Sequence, residues 1–311
     1  MSAFTKKQVK KTVSTCDCPE IDEFKTKGIS YLDSLSETQL SNMILAANDY
    51  YYNSTNVLLT DNQYDIVKEY IELKFPKNQV VKQIGAPANG KNKVTLPYEM
   101  PSMDKIKPDS NALVNWCAKY DGPYMLSCKL DGVSGLYSTE GGVPKLYTRG
   151  DGKVGQDISH LIPFLRLPKT KNITIRGEII IKNSIFNAKY NKLYPKARSL
   201  IAGIVNSKTP DANIVKDIDI VFYEWIAPDT LTYEQQFKQL EKLGVLCANY
   251  KVYASLTEIQ LPDLLMDFKK ESVYEIDGII LSNNTKSHKR VTSGNPKYSV
   301  AYKMALDDQI A

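Results

Sequence analysis

Five charged motifs follow one another at ordered intervals from residue 129 onward. They are Lys129-Leu130-Asp131-Gly132, Thr148-Arg149-Gly150-Asp151-Gly152, Arg176-Gly177-Glu178, Glu275-Ile276-Asp277-Gly278 and Ala301-Tyr302-Lys303. Singly each is commonplace, since Asp-Gly is an ordinary turn pair. Together they supply what attack of a lysine amine on a phosphate requires. The nucleophile must shed a proton that a free lysine keeps up to about pH 10.4, and desolvation and nearby cations favour that loss. Lys129 ends the apolar run Met125-Leu126-Ser127-Cys128, which is a desolvating setting. Charge growing on phosphorus needs fixed cations, for which Arg149, Arg198 and Lys303 are the candidates. Carboxylates at Asp131, Glu178 and Asp277 suit a hard divalent ion such as Mg²⁺, held through water. A purine needs an aromatic face, and Tyr223 in Val221-Phe222-Tyr223-Glu224-Trp225 offers one.

These side chains need a scaffold, and the apolar patterning describes it. Ser36-x-x-Gln39 has capping-box spacing ahead of Leu40, Met43, Ile44 and Ala47. A second amphipathic helix starts near Asp61 and ends before Pro76. Strands are expected over 124–130, 133–138, 144–149, 172–181, 218–226, 248–253, 278–282 and 298–304. Helices are expected over 112–120, 232–243 (capped by Thr232-x-x-Gln235) and 256–270 (capped by Ser255-x-x-Glu258). Strands dominate and helices fall irregularly, so the fold class expected is α+β with antiparallel sheets. The expected organisation is a polar lead-in over 1–28, a helical domain over 29–76, a linker over 77–108 and a catalytic domain over 109–311. That linker carries several prolines and is expected to hinge the two domains closed.

Composition sets wider bounds. The chain has 311 residues and a formal net charge of +5, which permits a polyanionic partner without requiring one. No secretory signal or run of 18 apolar residues is present, so neither export nor a membrane span is expected. Five scattered cysteines fit free thiols in a reducing, intracellular compartment. Gly150-x-Gly152-x-x-Gly155 matches a dinucleotide-binding fingerprint, but its preceding segment alternates with charge and Pro163 would break the following helix.

The motif set resembles the NAD⁺-dependent DNA ligases, over nearly all of residues 30–311. The resemblance implies that Lys129 is adenylated, that Glu178 meets the AMP ribose and that Tyr223 stacks on adenine. It places Arg198 in the segment before Ala202-Gly203, makes Ser102-Met103 the pair closing over the nucleotide, and makes Lys303 the last motif lysine. Asp131 and Glu178 are the implied metal positions, with Mg²⁺ as cofactor. Tyr51-Tyr52 and Asp61-x-x-Tyr64-Asp65 look like the small domain that grips nicotinamide mononucleotide (NMN), a piece that ATP-dependent ligases lack. Departures occur at Tyr52 (a histidine is usual), Ser127 (glutamate), Asn206 (arginine) and Ser282 (lysine), with Lys286, Lys289 or Arg290 as replacements for the last.

The activity so implied is self-adenylation by NAD⁺ with release of NMN, the first step in sealing nicked double-stranded DNA. The family continues past the last lysine into an OB-fold and further domains, so a monomeric fragment that seals nicks weakly is expected. Two alternatives stay open: a lysine nucleotidyltransferase using ATP or GTP, and a degenerate NAD-binding module without catalysis.

Overall fold

The computed structural model describes residues 18–53, 58–82, 93–106, 111–207, 209–227 and 230–303, without the side chains of Tyr52, Asn53, Asp61, Asn62 and Lys82. Three helices come first: α1 (Pro19–Lys27), α2 (Glu37–Asn53) and α3 (Asp61–Lys74). The box read at Ser36 and Gln39 forms, with the Gln39 amide 3.3 Å from Ser36 Oγ and the Ser36 amide 3.1 Å from Gln39 Oε1. Thr60 and Gln63 cap α3 in the same reciprocal way. Leu32, Leu40, Met43, Ile44, Val67 and Ile71 are fully buried between these helices. α1 adds Ile21 and Phe24 to that core, so part of the segment read as a polar lead-in is packed structure.

The Pro-rich segment read as a linker is not plain linker either. It contributes two short strands, β1 (Lys93–Thr95) and β2 (Asp104–Ile106). Beyond it come α4 (Ala112–Cys117), β3 (Tyr124–Leu130), β4 (Val133–Ser138), β5 (Lys145–Thr148), β6 (Val154–Gln156) and β7 (Thr174–Ile181). Then follow α5 (Asn183–Lys189), α6 (Ala197–Val205), α7 (Ala212–Val215), β8 (Ile218–Ala227) and α8 (Tyr233–Lys242). The last elements are β9 (Tyr250–Tyr253), α9 (Leu261–Glu271), β10 (Ile276–Asn283) and β11 (Ser299–Tyr302). Thr232 and Gln235 cap α8 as expected. The expected cap at Ser255 and Glu258 is displaced: Thr257 and Gln260 form the box instead, because the chain enters α9 through a short 3₁₀ turn.

Two sheets carry the larger body. One runs β2-β11-β10-β3-β9 and the other β5-β4-β7-β8, while β1 pairs with β6. All these ladders are antiparallel except β2 with β11. The result is the mixed helix and antiparallel-sheet class expected. One core packs α4, α8 and α9 on the five-stranded sheet, around Leu126, Phe237, Leu265 and Phe268. A second packs α5 and α6 on the four-stranded sheet, around Ile175, Ile179, Leu200 and Ile201. Strand periodicity therefore sends alternate side chains of β3 and β7 into a core and the rest into the space between the sheets. Gly150 and Gly152 shape the turn between β5 and β6, so the fingerprint-like glycines serve a strand-to-strand connection and no helix follows them directly.

Candidate active site

Between the two sheets and the helical segment lies a cleft of about 740 Å³. Its floor is one face of the five-stranded sheet: Met125, Ser127 and Lys129 on β3, Ile280 and Ser282 on β10, with Lys303 just past β11. The opposite wall is Ser134, Arg176, Glu178, Tyr223 and Glu224. Tyr51, Tyr64 and Asp65 close the third side, and Ser102 and Met103 cross the rim.

Lys129 Nζ donates to Asp277 Oδ1 at 2.9 Å and Oδ2 at 3.0 Å, and Lys303 Nζ donates to Oδ2 at 2.6 Å. Asp277 is aimed by a bulge. Ile276 pairs with Leu130 and Gly278 with Lys129, which leaves Asp277 as the extra residue of β10. Only glycine fits the next position, because a Cβ on Gly278 would stand 2.4 Å from the Tyr302 carbonyl oxygen. Burial raises the Asp277 carboxyl, but the ammonium groups of Lys129 and Lys303 outweigh it and hold it well below the usual carboxylate range.

A second bulge builds the facing wall. Arg176 pairs with Glu224 and Gly177 with Phe222, so Tyr223 is the extra residue on β8. Phe222 stays fully buried in the core while Tyr223 and Glu224 both reach the cleft. The Gly of Arg-Gly-Glu makes this possible, since a Cβ there would lie 2.6 Å from the Val221 carbonyl oxygen. Tyr223 donates its hydroxyl to Glu178 Oε2 at 3.0 Å and sits 2.9 Å from Ser134 Oγ. Burial pushes the Glu178 carboxyl up, and Arg198, Arg176 and Lys129 offset only part of that.

Arg198 comes from α6, an element the strand and helix periodicities did not reveal. Its guanidinium donates to the Gly132 carbonyl, lies 3.4 Å from Asp131 Oδ1 and covers the Tyr51 ring at 3.9 Å. Tyr51 is therefore joined to the turn after Lys129 through an arginine. Asp65 is likewise ion-paired with Lys105. Arg149 lines the cleft beside Thr148 and Gly150. The backbones of Tyr52 and Asp61 belong to α2 and α3, but their side chains lie outside the described residues.

The expected metal positions are separately engaged, Asp131 by Arg198 and Glu178 by Tyr223. Among the described residues no group of three or more His, Cys, Asp or Glu is placed to hold a metal ion. Mg²⁺ is ordinarily held by one or two carboxylates together with waters and substrate phosphates, so Asp131 and Glu178 stay the residues that would hold it, and no step below runs through one.

The sequence reading gave Arg176 and Glu224 no role of their own and took Arg290 only as a replacement cation for the one lost at Ser282. Arg176 donates to Ser134 Oγ at 3.1 Å and to the Pro101 carbonyl at 3.2 Å, and lies 3.5 Å from Glu224 Oε2. Glu224 also pairs with Arg290, whose other nitrogen donates to the Glu99 carbonyl at 2.6 Å. Burial raises the Glu224 carboxyl, yet Arg290 and Arg176 bring it below its ordinary range. Period-two alternation from Glu178 would have found Arg176; Glu224 is hidden by the bulge, and Arg290 lies in an irregular loop.

Among the described residues no helix is long and apolar enough to cross a membrane. Residues 102–306 match the family model for the NAD-dependent DNA ligase adenylation domain. A DNA ligase of Acanthamoeba polyphaga mimivirus is 40% identical over 288 residues, covering 90% of this chain and 45% of that protein. A putative DNA ligase of Invertebrate iridescent virus 6 is 35% identical, covering 88% and 45%. A DNA ligase of Clostridioides difficile (strain 630) is 30% identical, covering 84% and 44%. The chain thus spans a little under half the length of these relatives. On the extent of the model match, the chain belongs to the NAD-dependent DNA ligase adenylation-domain family.

Proposed function

We propose that the chain adenylates itself on Lys129, with NAD⁺ as the AMP donor and NMN as the leaving group. The observation that carries this is the Lys129–Asp277–Lys303 cluster on the floor of a cleft walled by both sheets and the helical segment. Lys129 Nζ attacks the adenylyl phosphorus. An N–P bond forms, the P–O bond to NMN breaks, and the NMN phosphate departs with the electron pair. Nζ loses two protons, one before attack and one as the bond forms. Asp277 is the adjoining acceptor, and water carries them away. Lys303, Arg149 and Arg198 are the cations offered to charge developing on phosphorus.

Two hydrogen-bonded strand faces give this chemistry a rigid base, and positioning supplies much of the rate in such a transfer. Tyr223 presents its ring to the base, while its hydroxyl is fixed by Glu178 and Ser134. Tyr64 and Asp65 on the helical side suit a cationic nicotinamide ring and its ribose. Transfer of the AMP to a DNA 5′-phosphate and sealing of a nick belong to the same proposal, at the level of a longer ligase.

Intact mass after incubation with Mg²⁺ and either NAD⁺ or ATP tests the reading, with Lys129→Ala alongside. An AMP-sized gain with NAD⁺ alone, absent in the variant, is expected. A gain with ATP instead, or none with either, refutes it.

A further inference from the structure

We infer that the base end of the cleft reads its purine with reversible hydroxyl dipoles and therefore accepts a 6-keto purine about as well as a 6-amino one. The further activity is transfer of inosine monophosphate to Lys129 from nicotinamide hypoxanthine dinucleotide. It rests on the NAD⁺ self-adenylation proposed above.

The floor beyond the nucleophile is fixed by strand register. Ser127 and Met125 stand two and four residues from Lys129 on the same face of β3, about 7 and 13 Å away. Ile280 lies opposite Ser127, and Ser282 opposite Met125. A nucleoside whose phosphate sits at Lys129 spans about this length, so its base comes over Ser127, Ile280 and Ser282.

The side-chain polar groups there, on Ser127 and Ser282, are hydroxyls. Ser282 Oγ is 2.8 Å from Ser299 Oγ, which is 2.9 Å from the Tyr233 hydroxyl. Ser282 is 1% exposed and Ser299 fully buried, while Ser282 and Tyr233 line the cleft. Burial, and then the nearby Glu224, keep the Tyr233 phenol protonated.

A hydroxyl both donates and accepts, and its hydrogen rotates to suit. The three-membered chain keeps two internal bonds in either direction. Run from Tyr233 to Ser282, it ends with Ser282 donating into the cleft. Run the other way, Ser282 accepts. A carboxylate would only accept and an ammonium only donate. The carboxylate that does line this end, Glu224, is engaged by Arg176 and Arg290.

Strong rejection of an analogue arises when a site's buried polar groups are left unpaired. A chain that reverses leaves none, so discrimination is expected to stay within about tenfold. Tyr233→Phe fills the same space but removes the acceptor that Ser299 needs when Ser282 accepts. The chain then favours one direction.

The experiment measures NMN release from each dinucleotide, with Mg²⁺ and the whole chain, after excess NMN has stripped any bound AMP. The mass of the peptide bearing Lys129 identifies the adduct. Expected are kcat/KM values within about tenfold for the two substrates, and a ratio that Tyr233→Phe moves by about fivefold or more. A preference for NAD⁺ beyond tenfold, with NAD⁺ itself active, overturns the inference alone. A ratio indifferent to Tyr233→Phe overturns the assignment to the hydroxyl chain. No product from NAD⁺ overturns the underlying reading and this inference with it.

Discussion

Gly278→Ala is the most informative perturbation, because it adds one methyl group beside the carboxylate that holds Lys129 without removing any functional group. The new Cβ would stand 2.4 Å from the Tyr302 carbonyl oxygen and 3.1 Å from Lys303 Cγ. Ordinary contact begins near 3.4 Å, so β10 and β11 must part by about 1 Å. Both partners in the 2.6 Å contact between Lys303 and Asp277 border this point, and Asp277 is itself the bulged residue. A misplacement of about 1 Å in a reacting array costs on the order of 10²-fold in rate. Overpacking adds roughly 1–3 kcal/mol of destabilisation. The assay is single-turnover formation of the Lys129 adduct across NAD⁺ concentrations, beside thermal unfolding. Gly141→Ala serves as control: its φ of 73° makes alanine strained there, yet nothing lies within 4 Å of the added atom. It should lose stability comparably and keep its rate. A folded Gly278→Ala that reacts within about threefold of the parent refutes the claim that this bulge aims Asp277.

Other expectations follow from the same geometry. Asp277 is depressed in the folded state and titrates near 3.9 when unfolded, so its stabilisation is present at neutral pH and is lost as pH falls below about 4. Asp277→Asn should therefore be less stable than the parent at pH 7, by about 3 kcal/mol or more, with the gap narrowing at pH 3.5 in urea titrations. Arg198→Lys keeps a charge but loses the planar contact with Tyr51 and the fork reaching Gly132 and Asp131, and should slow adduct formation at least about tenfold in the same assay. Burial pushes the Cys128 thiol up to about 12, so it should resist iodoacetamide at pH 8 in the folded protein and react after unfolding, as read by peptide mass.

Elements set by local rules were legible in the sequence. The boxes at Ser36/Gln39 and Thr232/Gln235 form as read, because each needs only partners three residues apart. The strand carrying Lys129 and the one carrying Glu178 follow from runs of apolar residues. Features built by distant partners were not. Alternation fails at Asp277 and Tyr223, where an extra residue is accommodated by a bare glycine on the same or the neighbouring strand. Tyr51 read as a ligand-binding aromatic, and nothing local announces that Arg198, almost 150 residues later, lies over its ring. Glu224 is held by Arg176 on the neighbouring strand and by Arg290, which belongs to a loop without periodicity.

The tie between β2 and β11 decides where the chain can be cut. β2 is the outermost strand of the five-stranded sheet, and its register with Val300–Tyr302 shields the backbone just before Lys303. The stretch leading to it is sewn down by Leu96 to the Lys153 carbonyl, Met100 to the Gly152 carbonyl, Arg290 to Glu99 and Arg176 to Pro101. A polypeptide beginning at residue 109 would bare a raw sheet edge beside Lys303 and leave the buried Arg176 and the half-buried Arg290 facing absent carbonyls. The smallest piece able to hold Lys303 in position thus begins near residue 93, well inside what reads as a connector.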